Sequence, residues 1–480
     1  MASFIGILKQ YKSTFWVANS IELIERMAWY GFFSLFANYL TKSTDLGGLE
    51  FTQSQKGMIM GIGTGILYFL PIITGAIADR FGYKKVLVLA FSVYVSAFLA
   101  FPYFDTFTGV FMVYIYLAIG AALFKPVISA TIAKTTNDEN ASMGFGIFYM
   151  MVNLGAFIGP LITMPNQDHL FTIVASIISV NFILLFFYTE PDRKQDKKPL
   201  GESFKTIYQN IVTVFSNLQF MVFLLIIAGF WTMYNQLFFT LPVFIEMWVD
   251  SSHLYTFFAE HFPIISNNYA FNGQIKPEFI TNSGAFFIIA FQLIVSFLVM
   301  KLRPLNAMIT GIIIATIGMS LTLISQSAIF IIVAIFVFAI GEMSASPKIT
   351  EYIGRIAPKD KKALYMGFAY VPMFLGNILA GIVSGVVFGQ MSDKFLFAKD
   401  YAQANGLSVD NNLTNNQMFE SLAHQMNISP LEFTKILWSQ YHPSNFWYVI
   451  AAIGSFAVVC LYFYDRYMQK SQNNNQLIKK

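Results

Sequence analysis

The chain has 480 residues, 56% of them hydrophobic and 17% aromatic, and only 12% carry a charge, about half the share usual in a soluble protein. A water-soluble globule cannot hide that much apolar surface, which excludes a soluble enzyme, a disordered chain and a nucleic-acid binder and leaves an integral membrane protein. The net charge of +4 says nothing about acidic partners, and the single cysteine, Cys460, sits in an apolar run and leaves no intrachain disulfide.

The apolar stretches run about 20 residues, the length of a spanning helix rather than of a barrel strand. The N-terminus, MASFIGILKQYK, lacks the small-residue cleavage site of a signal peptide, so the first helix is expected to stay in the mature protein. Twelve spans follow in order, at about 14–40, 54–78, 85–104, 109–133, 142–164, 170–188, 219–247, 279–301, 304–325, 328–355, 363–389 and 443–466. The polar segment TEPDRKQDKKPLGES separates the sixth from the seventh, with an amphipathic surface helix expected around Phe204–Leu218. The expected fold is therefore an all-α membrane protein of two six-helix bundles, 1–188 and 219–480, joined by a cytoplasmic linker at 189–218. With both termini cytoplasmic, 21 of the 30 Lys and Arg lie on that side, six lie opposite and three fall inside spans, the asymmetry of the positive-inside rule. Two long connections, about 248–278 and 390–443, then lie outside and are expected to carry small structure of their own. The five His residues lie in or near outside segments and have no metal-ligand spacing.

Charges inside spans are costly and usually functional. The first span holds Glu22, Glu25 and Arg26, which share one helical face with Tyr30 one turn on. The short loop after the second span reads Gly75-x-x-x-Asp79-Arg80-x-Gly82-x-Lys84-Lys85, a tight turn whose acid and glycines suit a conformational latch. The fourth span holds Lys125 beside Pro126, about two turns from the polar segment that begins at Lys134, and the proline frees a backbone carbonyl that suits a cavity wall. The tenth holds Glu342, with Lys348 and Glu351 placed to pair with each other further along. Three acids, Glu22, Glu25 and Glu342, against two bases, Arg26 and Lys125, leave one carboxylate without a cationic partner. Such a group in a low-dielectric cavity takes up a proton, which is the requirement for proton coupling. Which of the three Glu carries it is open at this stage.

Taken together these residues resemble the proton-dependent oligopeptide transporter family of the major facilitator superfamily. Glu22-x-x-Glu25-Arg26 resembles its ExxER motif, and Phe124-Lys125-Pro126 its FKP string. Phe148-Tyr149-x-x-x-Asn153-x-Gly155 resembles a signature on the fifth span. Gly341-Glu342 with Ser346-Pro347 resembles its GE…SP segment, Phe230-Trp231 with Gln236 the opening of its seventh span, and the Gly75–Lys85 loop the motif of the wider superfamily. The resemblance implies that Glu22, Glu25, Arg26 and Lys125 couple protons to transport. It implies a substrate pocket of Arg26, Tyr30, Tyr68, Lys125, Asn153, Asn235 and Glu342, with Glu342 on a peptide amino terminus and Arg26 or Lys125 on its carboxylate. Gly75, Asp79, Arg80 and Gly82 would serve gating. Two positions depart from the family pattern: Phe33 stands where a second Arg is common, and Asn235 where an acid precedes the Gln. The family's outer gate is implied to close elsewhere or with neutral contacts.

The expected function is thus a proton-coupled symporter importing di- and tripeptides by alternating access across the plasma or inner membrane. It is expected to work as a monomer, with no cofactor, metal or nucleic acid, and not as an enzyme. The alternatives are the same machinery moving another small zwitterionic or amphipathic solute, and a membrane receptor sensing ligand through the outside loops.

Overall fold

The computed structural model describes residues 8, 10–137, 140–192, 208–209, 211–322, 325–358 and 362–478. Most of the charged linker, 193–207, lies outside the described residues, as do Lys359 and Lys361 and both extreme termini. Of the expected amphipathic segment, 208–209 and 211–215 are helical.

The fold is that of twelve spanning helices in the expected order. Among the described residues nine helical stretches are long and apolar enough to cross a membrane, and a bent pair, Gln53–Phe69 and Pro71–Phe81, adds a tenth. One of the nine, Met143–Phe187, contains two helices, Ala141–Thr163 and Leu170–Phe187 in their full extent. The first helix, Ser13–Thr41, is long enough but carries Glu22, Glu25 and Arg26, and its burial in the protein is what tolerates them.

The elements differ from the expected spans where the sequence breaks a helix. The second span bends by 45° at Pro71, which has no N–H to continue the ladder. The seventh is three pieces, Leu218–Tyr234, Gln236–Phe239 and Leu241–Trp248, broken at Asn235 and Thr240. The eleventh carries a π turn at Val383–Val387 between Val371–Ile382 and Phe388–Met391. The last helix continues to Ile478, past the expected end at 466. Both long connections are structured. One holds the helices Ser252–His261 and Pro263–Tyr269 and a two-residue hairpin, Ala270–Phe271 with Gln274–Ile275. The other holds Lys394–Ala404, Asn415–Gln425 and Pro430–Tyr441, the last two opened by capping boxes at Thr414 and Ser429.

By its internal contacts the chain forms two compact units, Met1–Phe36 with Ile62–Ile211, and Ala37–Gly61 with Val212–Lys480. The first unit has an aromatic core in which Phe32 and Phe36 pack on Phe101 and Tyr114, with Phe171 stacked on Phe101. In the second, a Phe223, Tyr352 and Tyr464 cluster lies near one end, and Phe244, Trp248, Trp438 and Trp447 form an aromatic group under the long connections. Lys348 and Glu351 pair at 2.8 Å, as their spacing predicts, and Arg355 joins the same carboxylate at 2.5 Å.

Candidate functional site

In the first unit Glu22, Glu25 and Arg26 are all buried on the first helix. Sequence spacing favours Glu22 as the partner of Arg26, four residues on. The geometry reverses that order. Arg26 donates from Nε and Nη2 to both oxygens of Glu25, at 2.5 and 2.7 Å, a bidentate pair. Tyr94, from the Tyr83–Ala100 helix, donates its hydroxyl to the same carboxylate. Glu22 is 3.4 Å from the Nε already given to Glu25. Glu25 is therefore held by three donors, and Glu22 by a share of one. The turn that carries this cluster lies against the Ala141–Thr163 helix because Gly155 has no side chain: a Cβ there would stand 2.6 Å from the Arg26 Cβ and 2.7 Å from the Leu23 carbonyl oxygen. That close approach is the physical use of the glycine in the fifth-span signature.

Lys125 projects from Phe107–Thr135 at its internal proline. Pro126 removes the hydrogen bond to the Ala122 carbonyl, and that oxygen accepts instead from Thr74 Oγ1 at 2.6 Å. The carbonyl expected to face a cavity is thus occupied by a neighbouring helix. The Lys125 ammonium lies 5.0 Å over the Tyr68 ring, and among the described residues no carboxylate lies within 4.0 Å of it. Arg26 lies 5.9 Å over the Tyr30 ring. Tyr30, Tyr68, Arg26 and Lys125 are thereby gathered with the two glutamates, whereas half-buried Asn153 donates its amide to its own helix, to the Tyr149 carbonyl at 2.8 Å.

Glu342 belongs to the second unit, so the pooled count of three acids against two bases separates into a balanced set of four in one unit and a lone acid in the other. It is buried and accepts a hydrogen bond from Tyr234, with no cationic partner among the described residues. Asn235 gives its side-chain amide to the Trp231 carbonyl at 2.8 Å, ending the helix there, and Gln236 bonds to Thr232 and to the Thr240 hydroxyl. Asn235 is thus a helix-end residue before it is anything else.

The loop motif forms a hydrogen-bonded turn within the first unit. Gly82 takes φ 107°, a backbone region that L side chains avoid, and joins Pro71–Phe81 to Tyr83–Ala100. The Tyr83 hydroxyl donates to Asp79 at 2.9 Å and receives Lys134 at 2.9 Å, while the Tyr83 amide is taken by Glu190 at 2.8 Å. Arg80 lies 5.8 Å over the Phe81 ring. Gly75 makes no exceptionally close contact; a Cβ there would meet only the Pro126 Cβ, at 3.7 Å.

Several polar residues escape sequence reasoning because their partners are hundreds of residues away. Phe33 stacks on Trp29; further along the first helix Asn38 donates to buried Glu278 at 2.7 Å, and Lys42 pairs with Glu246 at 3.0 Å. Lys56, one of the six basic residues assigned to the side opposite the cytoplasm, is buried on the helix Gln53–Phe69. The loop after Lys42 caps a distant helix: Thr414 and Asn416 donate to Asp45, Asn415 N–H to Glu50, and Asn416 N–H to Ser43, acids at a helix N-terminus where the dipole favours them. Burial pushes the Asp45 carboxyl up, but hydrogen bonds from Thr414, Asn416 and Ser43 outweigh it and hold Asp45 below the ordinary carboxylate range. A depressed folded value means this docking is complete above about pH 4 and fades as pH falls through the lower value. Amide protection across Asn415–Gln425, corrected for the intrinsic pH dependence of exchange, is expected to fall in wild type as pH drops below about 4, and to stay level over that range in Asp45→Asn.

The family model described as Major Facilitator Superfamily matches residues 20–259 and 262–398. Among curated relatives, an uncharacterized transporter of Bacillus subtilis, YclF, is 31% identical over 144 residues, covering 29% of each chain. The peptide transporter YePEPT of Yersinia enterocolitica is 29% identical over 153 residues, 30% of this chain and 29% of that one. The chain thus spans under a third of the length of these curated relatives. A POT family transporter solved in complex with 5-aminolevulinic acid superposes with a TM-score of 0.69 at 16% identity, over 95% of this chain and 96% of that one. The fold is shared, and the resemblance to the proton-dependent oligopeptide transporters recurs among relatives and structures alike. With the family model covering well over half its length, the chain belongs to the major facilitator superfamily.

Proposed function

We propose that this integral membrane protein is a proton-coupled symporter of di- and tripeptides, working by alternating access of the six-helix bundles 1–188 and 219–480. The observation that carries the reading is the buried cluster on the first helix, where Arg26 is spent on Glu25 and Glu22 keeps only a shared contact at 3.4 Å. A purely structural ion pair needs one acid; the second, loosely held, is free to exchange its partner for a proton. Glu22 is accordingly the proton carrier in this reading, Glu25 and Tyr94 fix Arg26, and Lys125 is the cation that Glu22 or a substrate carboxylate answers to. Glu342, buried without a cation, suits a substrate amino terminus. Both termini are cytoplasmic by the distribution of Lys and Arg, the long connections face outside, and the membrane is the plasma or inner one. The protein acts as a monomer and performs no enzymatic step.

The test is uptake of labelled dialanine into proteoliposomes under an imposed pH gradient: accumulation with an acidic exterior, abolished by a protonophore, supports the reading, and uptake indifferent to the gradient refutes it. Glu342→Gln is expected to weaken peptides with a free amino group by roughly ten- to a hundredfold, the worth of a charge-assisted hydrogen bond, while leaving N-acetylated peptides unchanged in competition assays. Equal losses for both would remove Glu342 from that role.

A second reading, another small zwitterionic or amphipathic solute, is favoured by Phe33 stacking on Trp29 where the family commonly places an Arg. Competition of unlabelled amino acid derivatives against dialanine separates the two.

A further inference from the structure

Lys56 is the most deeply buried lysine of the described residues, with no exposed surface at all. It lies one turn into Gln53–Phe69, on the part of that helix that packs with Val371–Ile382 and the π turn after it. The packing is backbone on backbone. A Cβ on Gly57 would stand 2.7 Å from the Gly385 Cα, one on Gly61 2.8 Å from the Gly381 Cα, and one on Gly385 3.1 Å from the Gln53 carbonyl oxygen. With the helices this close, the lysine beside the contact has no exposed surface.

An ammonium has three donors and needs acceptors for them. Among the described residues Lys56 Nζ has no hydrogen-bond partner; it lies over the face of Phe388, 5.1 Å from the ring centroid. The one carboxylate whose charge reaches it, Asp393, is otherwise engaged: it accepts from Phe395 and Leu396 N–H at the start of Lys394–Ala404 and from the Gln53 side chain. Gln53 Oε1 and Ser392 Oγ nearby are likewise without partners. A cation–π contact offsets only part of the cost of taking an ammonium out of water. A sequence folding for stability alone would place an apolar side chain here, because an unsatisfied buried polar group costs more than its absence.

We propose that Lys56 is a built-in opening bias: stranded by the glycine contact between 53–61 and 381–385, it destabilises the closed outer gate and is relieved when that contact parts and water reaches it. The word "outer" rests on the orientation proposed above; the contact itself and its cost do not. The glycines draw the two helices together, and the lysine keeps that closure shallow enough to reverse in every cycle.

The experiment uses the full chain in detergent, with no substrate and no proton gradient, so its outcome is independent of what the protein carries or which way it faces. In a Cys460→Ser background, Gly389→Cys places a thiol against Gln53, since a Cβ there lies 3.3 Å from the Gln53 Cβ, and its maleimide labelling rate reports how often the contact opens. Lys56→Met, an apolar chain of similar length, is expected to slow labelling about tenfold, a shift of about 1.4 kcal/mol in the opening equilibrium, and to raise the melting temperature by a few degrees. Labelling that is unchanged or faster, or a lower melting temperature, would show that the ammonium is held by a partner and overturn the proposal. A Lys56→Met protein recovered only as aggregate would overturn it equally, because removal of an unsatisfied group cannot cost the fold.

Discussion

Glu22→Gln is expected to abolish concentrative uptake while sparing exchange. A gradient of one pH unit carries about 1.4 kcal/mol per proton, enough to concentrate a substrate about tenfold when one proton accompanies it. With Glu22 neutral at all times that ratio should fall to one. Counterflow of labelled against unlabelled dialanine needs no net proton movement and should continue within about threefold of wild type, because Glu22 holds Arg26 only through a shared contact at 3.4 Å. The two assays on the same vesicles decide the matter: retained accumulation in the variant would move the proton to another residue.

Glu25→Gln, three positions on, should behave differently and more severely. It takes one carboxylate oxygen from a bidentate pair with Arg26 and from the Tyr94 hydroxyl, leaving a buried guanidinium without its principal partner. Breaking a buried pair from one side costs about 3–5 kcal/mol. The expected result is a lower melting temperature in detergent together with loss of both accumulation and exchange. A Glu25→Gln protein as stable as wild type and still competent in counterflow would mean that Glu25 is the exchangeable acid and Glu22 the fixed one. In the proposed reading, two neighbouring glutamates of one motif divide into a positioning group and a titrating one by their contacts rather than by residue type.

Much of this was legible in the residues themselves. Span number and order follow from runs of apolar side chains long enough to cross a bilayer, and charges inside those runs mark the site because lipid tolerates them nowhere else. What spacing could not tell was which acid Arg26 prefers: helical periodicity points to Glu22, and the long guanidinium arm reaches back to Glu25 with Tyr94 completing the set. Nor could it find the partner of the carbonyl freed by Pro126, since Thr74 is 48 residues away in sequence. The breaks at Asn235 and Thr240 were read through because the apolar run resumes after each, and Lys56 counted only as an outer-side charge because burial of a lysine depends on glycines more than 300 residues downstream. Local signals carry elements and charges; pairing is decided by tertiary contact.

The hydroxyl of Thr74 on the Ala122 carbonyl has a mechanical consequence. Lys125 rides on the weakest point of its own helix, the proline turn, and the bond that braces this turn comes from the same short helix that ends in Asp79, Arg80 and Gly82. The cation's position along its helix is therefore pinned from next door. A shift of that hairpin by an ångström would be handed to the ammonium through a single strut, so that a movement at the turn re-aims a charge buried deep in the unit.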